Sequence, residues 1–219
     1  ASFGFIGFYI VIPEYRNQGY GIQLWNRAMQ YLGDRNIGLD GVVEQQDNYK
    51  KSGFKLDYRN IRFEGISKKA SIHHNYIKAI KDIPIDEVLK YDHRLFPTQR
   101  DAFMRTWVEQ PDHIALAALD SNELKGYGVI RPCQSGYKIG PLYAHTPKIA
   151  QDLFESLISK IEIGKPFFLD VPEVNSFAVQ LAKDNDMSKV FETARMYTKD
   201  VKDLLVDSNL YGVTTFELG

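Results

Sequence analysis

The sequence contains a single cysteine, Cys133, in 219 residues. One cysteine excludes an internal disulfide framework and any zinc site built from several cysteines. It fits a reducing compartment, so we expect a cytoplasmic protein. No histidine partner is patterned near Cys133, so a packed or spare thiol is favoured over a nucleophile. His73 and His74 are adjacent but lack a patterned third ligand, so no metal site is predicted.

The chain also lacks a large net charge of either sign, and it contains no long apolar run. Its 27 basic and 28 acidic side chains give a formal charge of −1. This balance offers no general electrostatic basis for binding nucleic acid or an anionic membrane surface. No apolar stretch approaches the roughly 20 residues of a membrane-spanning helix. Hydrophobic residues make up 44% of the chain and charged residues 25%, which indicates a globular core in one large or two small domains.

A glycine-containing loop lies between a strand pattern and a helix pattern near the start of the chain. The apolar run 5–12 ends at Pro13, and Arg16-Asn17-Gln18-Gly19-Tyr20-Gly21 leads directly into the helix pattern. Glycines allow a close backbone approach to a ligand, and the first N–H groups of a helix attract phosphate. The Rossmann and P-loop orders of glycine and lysine are both absent. A tight turn without a ligand stays open as the alternative. The predicted donors are the backbone N–H groups of Gln18, Gly19, Tyr20, Gly21 and Ile22, with Arg16 adding a charged contact.

This loop and a second motif together resemble the GNAT N-acetyltransferase superfamily. R-x-x-G-x-G after a strand ending in V-x-P resembles the acetyl-CoA pyrophosphate loop of that family. The segment Tyr49-Lys50-Lys51-Ser52-Gly53-Phe54 resembles its second signature, Y-x-K-x-G-F. The resemblance implies acetyl-CoA as co-substrate, no metal, and pairing of the Val11 backbone with the pantetheine amides. It also implies a place for Tyr49 near the thioester sulfur, where a phenol can assist the leaving thiolate as a general acid.

The residues leave the catalytic assignments open. Tyr49 could instead be a buried side chain that packs against Phe54. Glu44 follows the second predicted strand, 37–43, at the strand end where sites of α/β proteins collect their ligands. It is therefore the candidate general base, and Asp40 lies on the same strand. The alternative for Glu44 is an ordinary solvated carboxylate.

The periodicity predicts a mixed α/β protein made of tandem GNAT-like folds, the first of which is incomplete. Residues 1–65 are predicted to be a partial domain with a buried strand at 3–12, the loop, two helices and two further strands. The elements that the family places before that strand are missing, so we expect a truncated or processed chain. From residue 66 to 219 the pattern restarts and follows the complete order of the fold. Leu39-Asp40-Gly41-Val42 is paralleled by Leu169-Asp170-Val171-Pro172, which indicates an internal repeat.

The second repeat is predicted to have lost the cofactor site. Its loop position reads Leu142-Tyr143-Ala144-His145-Thr146-Pro147, without arginine or glycine, and a proline at the helix start removes an N–H donor. Its later segments resemble a GNAT subgroup with an appended, degenerate C-terminal acetyltransferase-like domain. We expect the partial first domain to dock on the second one. The final strand, predicted at 210–217, is the expected partner.

The leading functional hypothesis is an acetyl-CoA-dependent N-acetyltransferase. The resemblance implies that the primary amine of a small molecule or peptide attacks the thioester directly in a ternary complex. No nucleic acid or membrane partner is expected, and a homodimer stays open. The alternative is a non-catalytic acyl-CoA-binding or scaffold protein. No acidic or basic run identifies the acceptor.

Overall fold

The computed structural model describes residues 2–68, 74–200 and 208–219, which form a mixed α/β fold around one sheet. The strands of these ranges are β1 (Phe3–Ile6), β2 (Asn36–Val42), β3 (Lys55–Ile66), β4 (Ile77–Ala79), β5 (Ile114–Asp120), β6 (Glu123–Cys133), β7 (Gly136–Ala144), β8 (Pro166–Pro172), β9 (Ser188–Tyr197) and β10 (Leu210–Gly212). The helices are α1 (Tyr20–Leu32), α2 (Gln46–Lys51), α3 (Ile85–Asp92), α4 (Asp101–Glu109), α5 (Pro147–Ile158) and α6 (Ser176–Asp184). The mixed α/β class predicted from the sequence is confirmed.

The order of the strands interleaves the two halves of the chain. The sheet runs β1-β2-β9-β3-β8-β7-β6-β5-β4, and β10 pairs with β7. Strand β9 therefore separates β2 from β3, although it comes from the far end of the chain. The pairs β1–β2 and β7–β8 are parallel, whereas β2–β9 and β3–β8 are antiparallel. The arrangement β1-β2-β9 is thus repeated by β7-β8-β3 around the central β9–β3 pair.

Helices cover both faces of the sheet. Alternate residues of a strand point to opposite faces. Leu39 packs with Trp25 of α1, and Leu169 packs with side chains of α5 and α6, all on one face. On the other face, α3 and α4 pack against β6 together with Val213 and Phe216 from the end of the described chain. Asp40 and Asp170 point to this second face.

Two buried ion pairs connect the interleaved strands. Asp40 of β2 lies opposite Arg195 of β9 in the ladder, and their side chains form two hydrogen bonds of 2.9 and 2.6 Å. Asp170 of β8 lies opposite Arg62 of β3, with bonds of 2.7 and 2.9 Å. Such bidentate contacts offset part of the cost of burying charge. Burial alone would lower the pKa of Arg195, but Asp40 holds it well above its usual value.

The predicted strand 3–12 is wrong beyond Ile6. The parallel ladder ends at the pair Ile6–Leu39, and Phe8 then adopts a φ of 55°, which is incompatible with a strand. Residues 8–10 and 12 are exposed, Phe8 and Ile10 each to 67%. Apolar composition alone therefore did not identify the end of the strand.

The final strand predicted at 210–217 is also wrong, although the end of this segment contacts the first half at Gly7. β10 covers only Leu210–Gly212 and pairs with β7, so the segment 210–217 does not join the first half as a strand. The first half instead shares the sheet through β9, which forms ladders with both β2 and β3. Residues 69–73, which include His73 of the histidine pair, lie outside the described residues. Within the described ranges, no helix is long and apolar enough to cross a membrane.

Candidate active site

The glycine loop presents backbone donors to solvent at the start of α1. Asn17 and Gly19 have φ values of 60° and 83°, which turn the chain into the helix. Gly19 occupies the N-cap position, and no side chain caps this helix. Residues 16–20 are exposed, so the first N–H groups of α1 are accessible to an anion. The dipole of the helix favours negative charge at this position.

The polar side chains of the loop fix its shape. The Arg16 Nε donates to the Val11 carbonyl at 2.9 Å, and the Gln18 amide donates to the Glu14 carbonyl at 2.8 Å. The first of these bonds holds the guanidinium of Arg16 at the Val11 carbonyl. Val11 is half-buried and reaches α1, since a Cβ on Gly21 would lie 3.3 Å from Val11 Cγ2. The structure thus brings Val11, Arg16 and the predicted donors of residues 18–22 together.

A cleft of about 300 Å³ opens where β1 and β2 stop pairing. Residues 6–10 form one wall, and the end of β2 forms another. Both halves of the chain contribute to the lining, because β9 and the segment after β10 reach the cleft. The side chains that line the cleft include Trp25, Asp40, Tyr49, Thr193, Phe216 and Glu217.

Tyr49 lies in the wall of this cleft, as its sequence position predicts. Its ring packs against Trp25 at 5.6 Å between centroids, and the side chain is half-buried. Gly41 makes room for it, since a Cβ there would come within 2.2 Å of Tyr49 Cε2. Burial, followed by the nearby Tyr9 hydroxyl, raises the pKa of Tyr49 above its ordinary value. The phenol is therefore protonated at neutral pH and can donate a hydrogen bond.

The carboxylates of Asp40, on β2, and of Glu44, just after β2, occupy different environments. Glu44 lies on a 3₁₀ turn, Val43–Gln45, where it is exposed and outside the lining of the cleft. Asp40 lines the cleft, but its carboxylate accepts bonds from Arg195 and, at 2.8 Å, from Asn60 Nδ2. The charge of Asp40 is therefore balanced by Arg195. The role of Glu44 stays a prediction.

The contributions from the second half were missed by sequence reasoning. Thr193, Phe216 and Glu217 line the cleft although they lie more than a hundred residues from the loop. The Oγ1 of Thr193 and the Oδ1 of Asn60 are buried and have no hydrogen-bond partner among the described residues. The signal for Phe216 and Glu217 was the expectation that the segment 210–217 contacts the first half. That expectation did not assign either residue to the cleft, and no pattern in the sequence indicated Thr193.

The corresponding position in the second half is closed. β7 extends to Ala144, and α5 starts at Pro147 with Thr146 as its cap. The Thr146 hydroxyl accepts the N–H of Ile149 at 3.3 Å, so the side chain takes the place that an anion would occupy. The start of α1 has no such cap. The absence of a second cofactor loop stays a prediction.

His74 has more carboxylate neighbours than its sequence context indicates. Its ring lies beside Asp152 and Glu155, and the three potential ligand atoms fall within 4.8 Å of one another. However, the ammonium of Lys148 already contacts Asp152 Oδ1 at 2.6 Å. Among the described residues, Lys148 therefore neutralises one of the two carboxylates of this polar cluster. The prediction of no metal stays a prediction.

Comparisons with known proteins agree with the fold. A family profile described as "Acetyltransferase (GNAT) domain" matches residues 88–212, and one described as "Acetyltransferase (GNAT) family" matches residues 1–54. The holothin acyltransferase of a Pseudoalteromonas species is 30% identical, over 90% of this chain and 67% of that protein.

Two solved structures share the architecture. A putative acetyltransferase from Pyrococcus horikoshii aligns with a TM-score of 0.77 at 24% identity, over 94% of this chain and 68% of that one. A tandem GNAT protein from the clavulanic acid biosynthesis pathway aligns with a TM-score of 0.57 at 10% identity, over 86% and 72% of the two chains. Taken with the profile that matches more than half of its length, these findings show that the chain belongs to the GNAT family of N-acetyltransferases.

Proposed function

We propose that this chain transfers an acetyl group from acetyl-CoA to a primary amine by direct attack in a ternary complex. Members of the family use acetyl-CoA in general. The observation that carries the proposal is the position of the cleft. It begins where β1 and β2 separate, contains Tyr49, and is flanked by the exposed glycine loop before α1.

The residues of the loop fit the phosphate groups of acetyl-CoA. Backbone N–H groups of Gln18, Gly19, Tyr20, Gly21 and Ile22 would hold the pyrophosphate, with the charge of Arg16 beside them. The absence of a side-chain cap on α1 supports this role, since its first donors have no other side chain to satisfy them. Val11 would pair its backbone N–H with the pantetheine arm, because its carbonyl already accepts from Arg16. When bound, acetyl-CoA supplies an acyl group activated as a thioester.

Tyr49 would donate a proton or hydrogen bond to the departing thiolate. Its raised pKa supports this role, because the phenol keeps its proton at the pH of the reaction. The acceptor must lose a proton before its nitrogen can attack. Glu44 is proposed as the general base, and its exposed position at the end of β2 would require an intervening water.

We further propose that the chain consists of two GNAT-like repeats, residues 1–65 and 66–219, of which the second is degenerate. The repeated arrangement β1-β2-β9 and β7-β8-β3 supports this, as do the corresponding pairs Asp40–Arg195 and Asp170–Arg62. The capped start of α5 supports the loss of a cofactor loop in the second repeat. The second repeat would then serve to complete the acceptor side of the cleft.

The acceptor is proposed to be the amine of a small molecule. A volume of about 300 Å³ suits a small ligand better than a folded protein segment. The holothin acyltransferase is named for acyl transfer to holothin. This relative favours a small-molecule acceptor for the present chain. A peptide amine and a homodimer stay predictions.

Release of CoA thiol in the presence of a panel of primary amines tests the proposal. We expect release that depends on the amine and that falls in Tyr49→Phe. Binding of acetyl-CoA without amine-dependent release for any member of the panel would contradict it. That result would favour a non-catalytic acyl-CoA-binding protein.

A further inference from the structure

The segment after β10 crosses the second face of the sheet and ends at the cleft. The Val213 N–H donates to the Asp170 carbonyl at 3.0 Å. The Phe216 ring then lies 4.5 Å from the Arg62 guanidinium and 5.1 Å from Lys138 Nζ. These contacts fix the segment over β3, β7 and β8. Its path therefore leads towards β1.

Glu217 packs directly on the end of β1. A Cβ on Gly7 would lie 1.8 Å from the Glu217 carbonyl oxygen, so only glycine permits this contact. The Glu217 N–H is held by the Thr215 hydroxyl at 3.0 Å. The Glu217 side chain is half-buried and lines the cleft. The backbone on both sides of the carboxylate is therefore fixed.

The Glu217 carboxylate differs from the other carboxylate of the lining. Within the described part of the chain, no side chain forms an ion pair or hydrogen bond with it, whereas Asp40 is paired with Arg195. Arg62 and Lys138 are near enough to interact with the charge of Glu217, but both already contact Asp170. Glu217 is thus the carboxylate of the cleft that can accept a further charged partner.

A second polar group in the lining also lacks a partner. Thr193 is only 3% exposed, and its Oγ1 forms no hydrogen bond with any described residue. A buried hydroxyl without a partner is costly, so it is usually satisfied by a ligand or water. The remaining walls are mostly apolar and aromatic, with Trp25, Val42, Phe191 and Phe216. The cleft therefore combines one accessible carboxylate and the unpartnered Thr193 hydroxyl with mostly apolar and aromatic surfaces.

We infer that Glu217 binds the ammonium group of the acceptor and makes the site selective for a compact apolar or aromatic monoamine. The inference rests on the proposed function, in which this cleft holds the acceptor. A charge-assisted bond is strong where water is scarce, and aromatic walls stabilise a neighbouring cation. A polyamine is disfavoured, because its second charge would face apolar walls without a partner.

Binding of matched probes measures this selectivity without any acyl transfer. Trp25 lies in the lining, so its fluorescence reports occupancy once Trp107 is replaced by Phe. Benzylamine and benzyl alcohol are titrated into this variant in the presence of saturating CoA. We expect benzylamine to bind at least about tenfold more tightly, the size of one charge-assisted hydrogen bond. Glu217→Gln should remove the preference, and Glu217→Asp should retain part of it. Glu109→Gln, on the exposed end of α4, is the control that should keep it.

Three results would overturn the inference: no preference for benzylamine in the parent protein, a full preference in Glu217→Gln, or loss of the preference in Glu44→Gln instead. The last result would assign recognition of the ammonium to Glu44. Failure of the proposed function would look different. It would appear as acetyl-CoA bound without release of CoA thiol, while the preference of the cleft for benzylamine could still be measured.

Discussion

Tyr49 illustrates how a single position depends on its neighbours. Its ring fits because Gly41 beneath it carries no side chain, and Trp25 packs against its face. The sequence signature predicted the residue, but the space for its ring depends on a glycine of another strand. Asp40 shows the opposite case. In the sequence, Asp40 lies on the strand that leads to the candidate base Glu44. In the structure, Arg195 from the far end of the chain neutralises its carboxylate.

Replacing Tyr49 by Phe removes one hydroxyl from the cleft. We expect unchanged affinity for CoA and a kcat lower by at least about tenfold, because the hydroxyl acts mainly as negative charge develops on sulfur. Steady-state kinetics and calorimetric binding measure the two quantities. Tyr31→Phe is the matched control, since Tyr31 is an exposed residue of the same class on α1. Wild-type turnover in Tyr49→Phe would remove Tyr49 from the mechanism.

Arg195→Met leaves the Asp40 carboxylate buried without its charged partner. Breaking a buried pair in this way costs roughly 3–5 kcal/mol in the free energy of unfolding. Arg62→Met should cost less, since Asp170 keeps a second contact with Lys138. Urea denaturation of the two variants measures both costs. An equal or smaller loss in Arg195→Met would contradict this view of the pair.

At the scale of single elements, the proposed cofactor site depends on the start of α1. The helix begins after a glycine with a φ of 83°, and the order of strand, loop and helix was predicted from the sequence. The ends of elements were predicted less well. β1 stops at Ile6 because its ladder with β2 ends there, whereas the sequence predicted a strand to residue 12. Apolar runs do not encode where a neighbouring strand diverges.

Gly19→Ala tests the loop against a matched position. Gly19 and Gly164 have φ values of 83° and 81°, and a Cβ would meet no close atom at either site. Alanine should therefore strain both positions similarly, by about 1–3 kcal/mol. Only Gly19→Ala should weaken CoA binding, because only that Cβ would face the proposed phosphate site. Thermal unfolding and calorimetric titration separate the two effects, and equal CoA affinity in the two variants would contradict the assignment.

At the scale of the whole molecule, the interleaved strands make the halves interdependent. β2 and β3 do not pair with each other, since β9 lies between them. The sequence predicted two repeats that dock through 210–217, but it missed the ladders that β9 forms with β2 and β3. A pairing between β2 and β9 joins residues about 155 positions apart, such as Asp40 and Arg195. No local pattern records a contact over that separation.

The two tryptophans allow the interdependence to be measured. Trp25 lies in α1 and Trp107 in α4, so each of the two single-tryptophan variants, Trp25→Phe and Trp107→Phe, reports a different half. We expect each variant to unfold in urea in a single transition. For each variant, the curve measured by fluorescence should coincide with the curve measured by circular dichroism. Two separated transitions, with the Trp25 signal lost first, would show that the halves unfold independently.

The central claim is that one acetyl-CoA site lies at residues 11–22 and that the second repeat has none. Isothermal titration of acetyl-CoA tests it most directly. We predict about one site per chain, and no binding in Gly21→Val, whose side chain would collide with Tyr9 and Val11 at the start of α1. Two equivalent sites per chain, or undiminished binding in a folded Gly21→Val variant, would contradict the account.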